Sequence, residues 1–137
     1  MNPAVTVGDA MLRAPRTHPS SLTVAQARGA FGASAKTHMI LLVRDGVLLG
    51  TLTLGDLAVD AGGEALALSL GSLDGRTVPP DASLARTHRM MRERGIRRLA
   101  VVDGAGRLLG LLCLKHSLRG FCTDEGVAAM RAARTIR

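Results

Sequence analysis

The chain of 137 residues has no tyrosine and no tryptophan, and Phe31 and Phe121 are its only phenyl rings. That argues against a reader of single-stranded nucleic acid, which stacks bases on aromatic side chains. Lysine is nearly missing as well: Lys36 and Lys115 stand alone, and the other sixteen of the eighteen basic residues are arginine. The net charge of +7 suits a polyanionic partner. Yet abundant Arg, Ala, Gly and Leu with scarce Lys, Tyr and Phe is also what GC-rich coding produces, so charge alone decides little. The two cysteines, Cys113 and Cys122, lie nine residues apart with no C-x-x-C spacing, which gives little ground for a zinc or redox motif. No apolar run approaches the roughly 18 residues of a membrane span, and MNPAVTVGDAMLR lacks the basic and apolar regions of a signal peptide. The expectation is a cytoplasmic protein with no membrane segment. His18, His38, His88 and His116 show no H-x-x-x-H spacing, and neither G-x-S-x-G nor G-x-x-x-x-G-K-[ST] occurs. No metal site and no catalytic activity are expected.

What the chain does contain is a repetition. Residues 46–56 read GVLLGTLTLGD and residues 106–116 read GRLLGLLCLKH, with six of eleven positions identical. At the same offset of sixty, Thr17-His18-Pro19 falls on Thr77-Val78-Pro79 and MILL at 39–42 falls on LAVV at 99–102. No gap is needed from residue 17 to residue 57. A half of about sixty residues is marginal for folding alone, so the two copies are expected to share a core. With 47% hydrophobic and 21% charged residues the chain can build one.

Each copy reads as strand, helix, strand, strand, helix. In the second, RTVPP at 76–80 is a short extended lead-in, and Asp81 or Ser83 can cap a helix that ends at Gly95. The first-copy helix, about 21–33, is interrupted by Gly29 and Gly32. Asp103-Gly104-Ala105-Gly106 and Arg44-Asp45-Gly46 each sit between apolar runs, a hairpin signature. The runs are apolar throughout, which predicts strands covered on both faces. AVDAGGEALALSLGS at 58–72 reads as a linker that starts helix-like, and TDEGVAAMRAARTIR at 123–137 reads as a terminal helix. The expected division is a first repeat over 1–62, a second over 63–122 and the C-terminal helix over 123–137.

Four segments together carry a family resemblance: Val7-Gly8-Asp9-Ala10-Met11; Thr17-His18-Pro19 with Thr77-Val78-Pro79; Gly95-Ile96-Arg97-Arg98-Leu99-Ala100-Val101-Val102-Asp103; and Gly50-Thr51-Leu52-Thr53-Leu54-Gly55-Asp56-Leu57. Their order, spacing and duplication resemble a tandem pair of CBS domains, the cystathionine-β-synthase-type regulatory (Bateman) module. The resemblance implies an α+β fold of two β-α-β-β-α repeats related by pseudo-twofold symmetry. It implies a non-catalytic regulatory module, commonly a homodimer, acting on a partner protein that the sequence does not name. It also implies an adenosyl-type ligand in the cleft between repeats: AMP, ADP, ATP, NAD or S-adenosylmethionine, with no covalently bound cofactor.

Thr53 and Asp56 close a strand and open a helix. A carboxylate there can accept from both ribose hydroxyls, and the neighbouring helix N-terminus favours phosphate. In the family these positions are the usual ribose and phosphate contacts. The plainer alternative is that Asp56 only caps its helix. In the second copy Cys113 replaces the hydroxyl residue and His116 the carboxylate, and a neutral imidazole cannot bracket a diol. One competent site and one degenerate site are therefore expected. By the pseudo-twofold, Arg97 and Arg98 could face the ligand's phosphates, with His38 as the first-copy counterpart of Arg98. The resemblance places His18, Met39 and Ile40 around the adenine, with Thr17 a further ligand-binding candidate, although an apolar Met or Ile is as readily core. Two other readings are a ligand-free dimerisation scaffold and a basic protein that contacts nucleic-acid phosphates; for the second, Glu93 breaks the arginine stripe of 86–98.

Overall fold

The computed structural model describes residues 5–33, 38–59, 62–124 and 126. In chain order the elements are α1 (Val7–Ala10), β1 (His18–Pro19), α2 (Val24–Ala33), β2 (Ile40–Arg44), β3 (Val47–Leu52), β4 (Thr77–Val78), α3 (Leu84–Arg94), β5 (Arg98–Val102) and β6 (Leu108–Cys113). Short 3-10 helices occupy Leu54–Ala58 and Ala67–Leu70. The strands form two sheets, β1-β2-β3 and β4-β5-β6, one per sequence repeat. In the first, β1 runs parallel to β2, and β2 pairs antiparallel with β3.

The repeated glycines have two distinct physical causes. Gly46 and Gly106 sit at φ of 81° and 82°, where a Cβ is costly. With Asp45 at φ 52°, Asp45-Gly46 makes the two-residue turn that joins β2 to β3. Gly50 and Gly110 instead allow close approach. A Cβ at Gly50 would lie 2.7 Å from Leu68 Cδ1. At Gly110 it would collide with the Leu12 carbonyl oxygen and lie 2.7 Å from Met11 Sδ.

Those neighbours come from the segments preceding each repeat. Thr51 pairs with Ser72 and Thr23 with Leu66; sixty residues on, and with the repeats exchanged, Leu111 pairs with Leu12 and Ser83 with Thr6. The chain accordingly divides into two compact units. One comprises Arg16–Thr77 with Gly104–Leu108, and the other Met1–Pro15, Val78–Asp103 and Leu109–Arg137. The stretch read as a linker is thus packed structure: Ala67 is fully buried, and Thr51 Oγ1 donates to the Ser72 carbonyl at 2.6 Å.

Each unit has its own core. Leu22, Val24, Ala27, Phe31, Ile40, Leu42, Leu52, Leu57 and Ala67 pack together in the first, and Val7, Val78, Leu84, Met91, Leu99, Val101, Leu112 and Leu114 in the second. Ile40 and Leu42 face one side of β2, and Leu41 on the other side is equally buried at 1% exposure, as the unbroken apolar run predicts. The rule fails on β3, where Leu49 is 37% exposed.

The helix ends follow their caps. Ser83, rather than Asp81, caps α3: its Oγ accepts from the Arg86 N–H at 3.3 Å. Gly95 ends α3 in the left-handed conformation at φ 67°, ψ 28°. Thr23 and Gln26 cap α2 reciprocally, at 2.9 and 3.2 Å, and this helix runs through Gly29 and Gly32 without a break. The closing helices depart from expectation. β3 is followed by the 3-10 segment Leu54–Ala58 where an α-helix is expected, and after β6 the described residues hold a turn over 115–120. Most of the expected C-terminal helix lies outside the described residues.

Candidate functional site

The register of the first sheet gathers most of the sequence-predicted residues at one end. His18 pairs with Leu42, and Ile40 pairs with Leu52. Thr17 and His18 at the start of β1, Met39 and Ile40 at the start of β2, and Thr53 just after β3 therefore share that end. Asp56 follows one turn later. Thr17 and His38 are exposed, and Met39 is half-buried. Ile40 turns inward at 1% exposure and belongs to the core cluster, so its side chain serves packing.

Asp56 carries two jobs. It closes a capping box with Thr53, whose N–H donates to Oδ2 at 2.8 Å. It also accepts a forked ion pair from Arg76, with Nη1 to Oδ2 at 2.7 Å and Nη2 to Oδ1 at 3.1 Å. The side chains of Arg76 and Asp56 are 23% and 19% exposed, so the pair is only partly hydrated. The guanidinium, followed by the Thr53 N–H, holds the Asp56 carboxyl below its usual range despite partial burial. Arg76 is raised in turn by the carboxylate. Arg76 Nη1 also donates to the Thr51 carbonyl at 3.2 Å.

Sequence reasoning missed Arg76. It stands in the lead-in to the second repeat, twenty residues from Asp56, and nothing local marks it. The signal that would have found it is the segment exchange, since a lead-in packed on the other repeat brings its own polar residues there.

His18 is the other polar group at this end. Its Nδ1 is buried and has no hydrogen-bond partner among the described residues. Burial first, and Arg16 second, lower its basicity, which keeps the ring neutral near physiological pH.

The remaining candidates belong to the second unit. Leu114 N–H donates to the Arg97 carbonyl at 2.8 Å, and Arg97 Nε donates to the Leu114 carbonyl at 3.3 Å. Arg98 Nη1 donates to the Arg97 carbonyl at 3.2 Å. Arg97 and Arg98 are half-buried, whereas His116 is exposed. Cys113 and His116 stand where Thr53 and Asp56 stand in the first copy, and they cannot build the capping box.

Residues 75–116 match the family model for the CBS domain. The solved structures are similar over more of the chain. The CBS domain pair of protein MJ0100, solved with 5-methylthioadenosine and S-adenosyl-L-methionine, is 19% identical at a TM-score of 0.62, covering 96% of this chain and 99% of that one. The chain has the fold of a CBS-domain pair. CBSX2, solved with AMP, is 23% identical at a TM-score of 0.67, covering 96% of this chain and 98% of that one. The cytosolic domain of the Mg2+ channel MgtE, solved with ATP, is 25% identical at a TM-score of 0.64 over 80% of this chain. The present chain spans only 46% of that MgtE chain. No curated protein matches the sequence.

Two cavities of about 380 Å³ each lie in the second unit. One is bordered by Asp9, Arg13, Phe121 and Cys122, the other by His88, Arg92 and Arg119. Neither involves a sequence-predicted site residue. Among the described residues no cluster of His, Cys, Asp and Glu could hold a metal ion, and no helix is long and apolar enough to cross a membrane.

Proposed function

We propose that this CBS-domain pair is a regulatory module that binds an adenine nucleotide or related adenosyl ligand at the β1-β2-β3 sheet end, and that the bound state is read by a partner protein. The observation that carries the reading is His18 Nδ1. A buried nitrogen without a partner calls for an explanation, and this one shares a sheet end with Thr53 and the Asp56–Arg76 pair. A neutral imidazole can donate to or accept from the edge of an adenine, with Met39 packing against the base. Asp56 Oδ1, which accepts from Arg76 Nη2, has a second lone pair to offer a ribose hydroxyl. Thr53 and Arg76 supply a hydroxyl and a cation for phosphate. Similar folds bind AMP in CBSX2, ATP in MgtE and S-adenosyl-L-methionine in MJ0100, which supports the ligand class. The module acts as a homodimer in this proposal.

One observation favours a second reading. Both Asp56 oxygens already have donors, as suits a structural cap in a ligand-free scaffold. Thermal unfolding with AMP, ADP, ATP, NAD and S-adenosylmethionine separates the two. A ligand at about a hundred times its dissociation constant adds roughly 2.7 kcal/mol, which raises the midpoint by on the order of 8–13 °C. The shift is expected in wild type and lost in Asp56→Ala. If no ligand of the panel moves the midpoint at millimolar concentration, the nucleotide reading is wrong and the scaffold stands.

A further inference from the structure

In the second copy Cys113 and His116 replace Thr53 and Asp56, and the structure shows what Cys113 meets instead. Cys113 ends β6, the chain turns, and Leu114 forms an antiparallel bridge with Phe121. Cys122 N–H then donates to the Cys113 carbonyl at 2.8 Å. The two cysteines are cross-strand neighbours with their sulfurs 2.7 Å apart, both as free thiols.

The turn between them is well braced. Lys115 N–H donates to the Gly120 carbonyl, and Leu118 N–H to the Lys115 carbonyl, each at 2.8 Å. His88 Nε2 meets the Leu118 carbonyl at 2.8 Å, and its ring lies edge-on to Phe121 at 5.4 Å. Leu118 sits at φ 64°, a conformation that a leucine keeps only when its surroundings impose it. The sulfurs are thus held together by the fold of the turn.

We infer that Cys113 and Cys122 are a redox-modification site, closing to a reversible intramolecular disulfide when peroxide is the oxidant. Cys122 reacts first. It is half-exposed and borders an open cavity of about 380 Å³, through which a small oxidant can reach it. Cys113 is 5% exposed, and burial, reinforced by the contact with Cys122, pushes its thiol up to about 12. The Cys122 thiolate attacks one peroxide oxygen. An S–O bond forms, the O–O bond breaks, and hydroxide leaves to become water. The Cys113 sulfur then attacks the Cys122 sulfenic acid. An S–S bond forms, the S–O bond breaks, and the hydroxyl departs with the Cys113 proton as a second water. Two thiols are oxidised and one peroxide is reduced to two waters.

The link ties residues 114–121, including His116, into a covalent loop. The first copy has Thr53 where Cys113 stands, so the first repeat has no equivalent. The reaction uses no residue of the Thr53–Asp56–Arg76 cluster, and it stands or falls independently of nucleotide binding.

The test is peroxide treatment of the full chain at micromolar protein, followed by thiol titration and non-reducing tryptic mapping. Trypsin yields peptides 108–115 and 120–131, each carrying one of the two cysteines. The expected product is those two peptides joined, lighter by two hydrogens than their sum, and separated again by dithiothreitol. Cys122→Ser, at the half-exposed position, should give no joined species, and its Cys113 should react much more slowly than Cys122 does in wild type. The inference is overturned if Cys122 accumulates as sulfinic acid without the joined peptides. It is equally overturned if both thiols still titrate after peroxide, or if the only disulfides join two chains.

Discussion

Arg76→Ala tests how far the Asp56 site depends on a residue twenty positions away. The structure sets the size of the effect. A fully exposed ion pair contributes about 0–1 kcal/mol, and hydrogen bonds to charged groups about 1.5–3 kcal/mol. This pair is forked, at 2.7 and 3.1 Å, and its side chains are 23% and 19% exposed, which places it between those limits. Its loss should cost about 2 kcal/mol, or a midpoint fall of about 6–10 °C. A double-mutant cycle with Asp56→Asn, followed by urea unfolding, isolates the coupling, expected at about 1–2 kcal/mol near neutral pH. The pH dependence has a definite sign. Asp56 titrates lower in the folded chain than its ordinary value of 3.8, so its contribution is complete above that value and is lost as pH falls through the folded-state value. The cycle should therefore collapse in acid. A coupling below about 0.3 kcal/mol at neutral pH, or one that persists unchanged when Asp56 is protonated, would refute the reasoning.

Two further substitutions test the packing. Gly110→Ala should cost about 2–3 kcal/mol in urea unfolding, because the new Cβ meets the Leu12 carbonyl, and Leu12 is tied by backbone bonds of 2.8 and 2.9 Å to Leu111. Gly50→Ala should cost distinctly less, because the end of the Leu68 side chain can swing aside; equal costs would contradict this account of the repeated glycine. Ser83→Ala should lower stability by about 1 kcal/mol through loss of the α3 cap, whereas Asp81→Ala should leave the thermal midpoint nearly unchanged.

Much of the architecture was legible in the residues. The offset of sixty marked two copies, the Asp45-Gly46 turn marked the first hairpin, and Ser83 and Gly95 bounded α3. His18 and Met39 were marked only by the resemblance to CBS domains, whereas Thr53 and Asp56 could also be read locally, as a capping pair that closes over three residues. Each of the locally read features is decided within a few residues, where backbone sterics and local hydrogen bonds dominate.

Other features required the folded chain. Arg76 reaches Asp56 only because residues 66–77 pack against the first repeat rather than linking the two. The same spacing argument that set Cys113 and Cys122 aside as a redox motif could not foresee that a turn would bring their sulfurs to 2.7 Å. Gly50 and Gly110 repeat in sequence, yet what each excludes is a side chain in one case and a carbonyl in the other. Periodicity and caps report interactions whose partners are close along the chain. The Asp56–Arg76 pair, the close approaches at the glycines and the bracing of the cysteine turn join residues whose proximity depends on how whole segments pack, and that was decided by the tertiary structure.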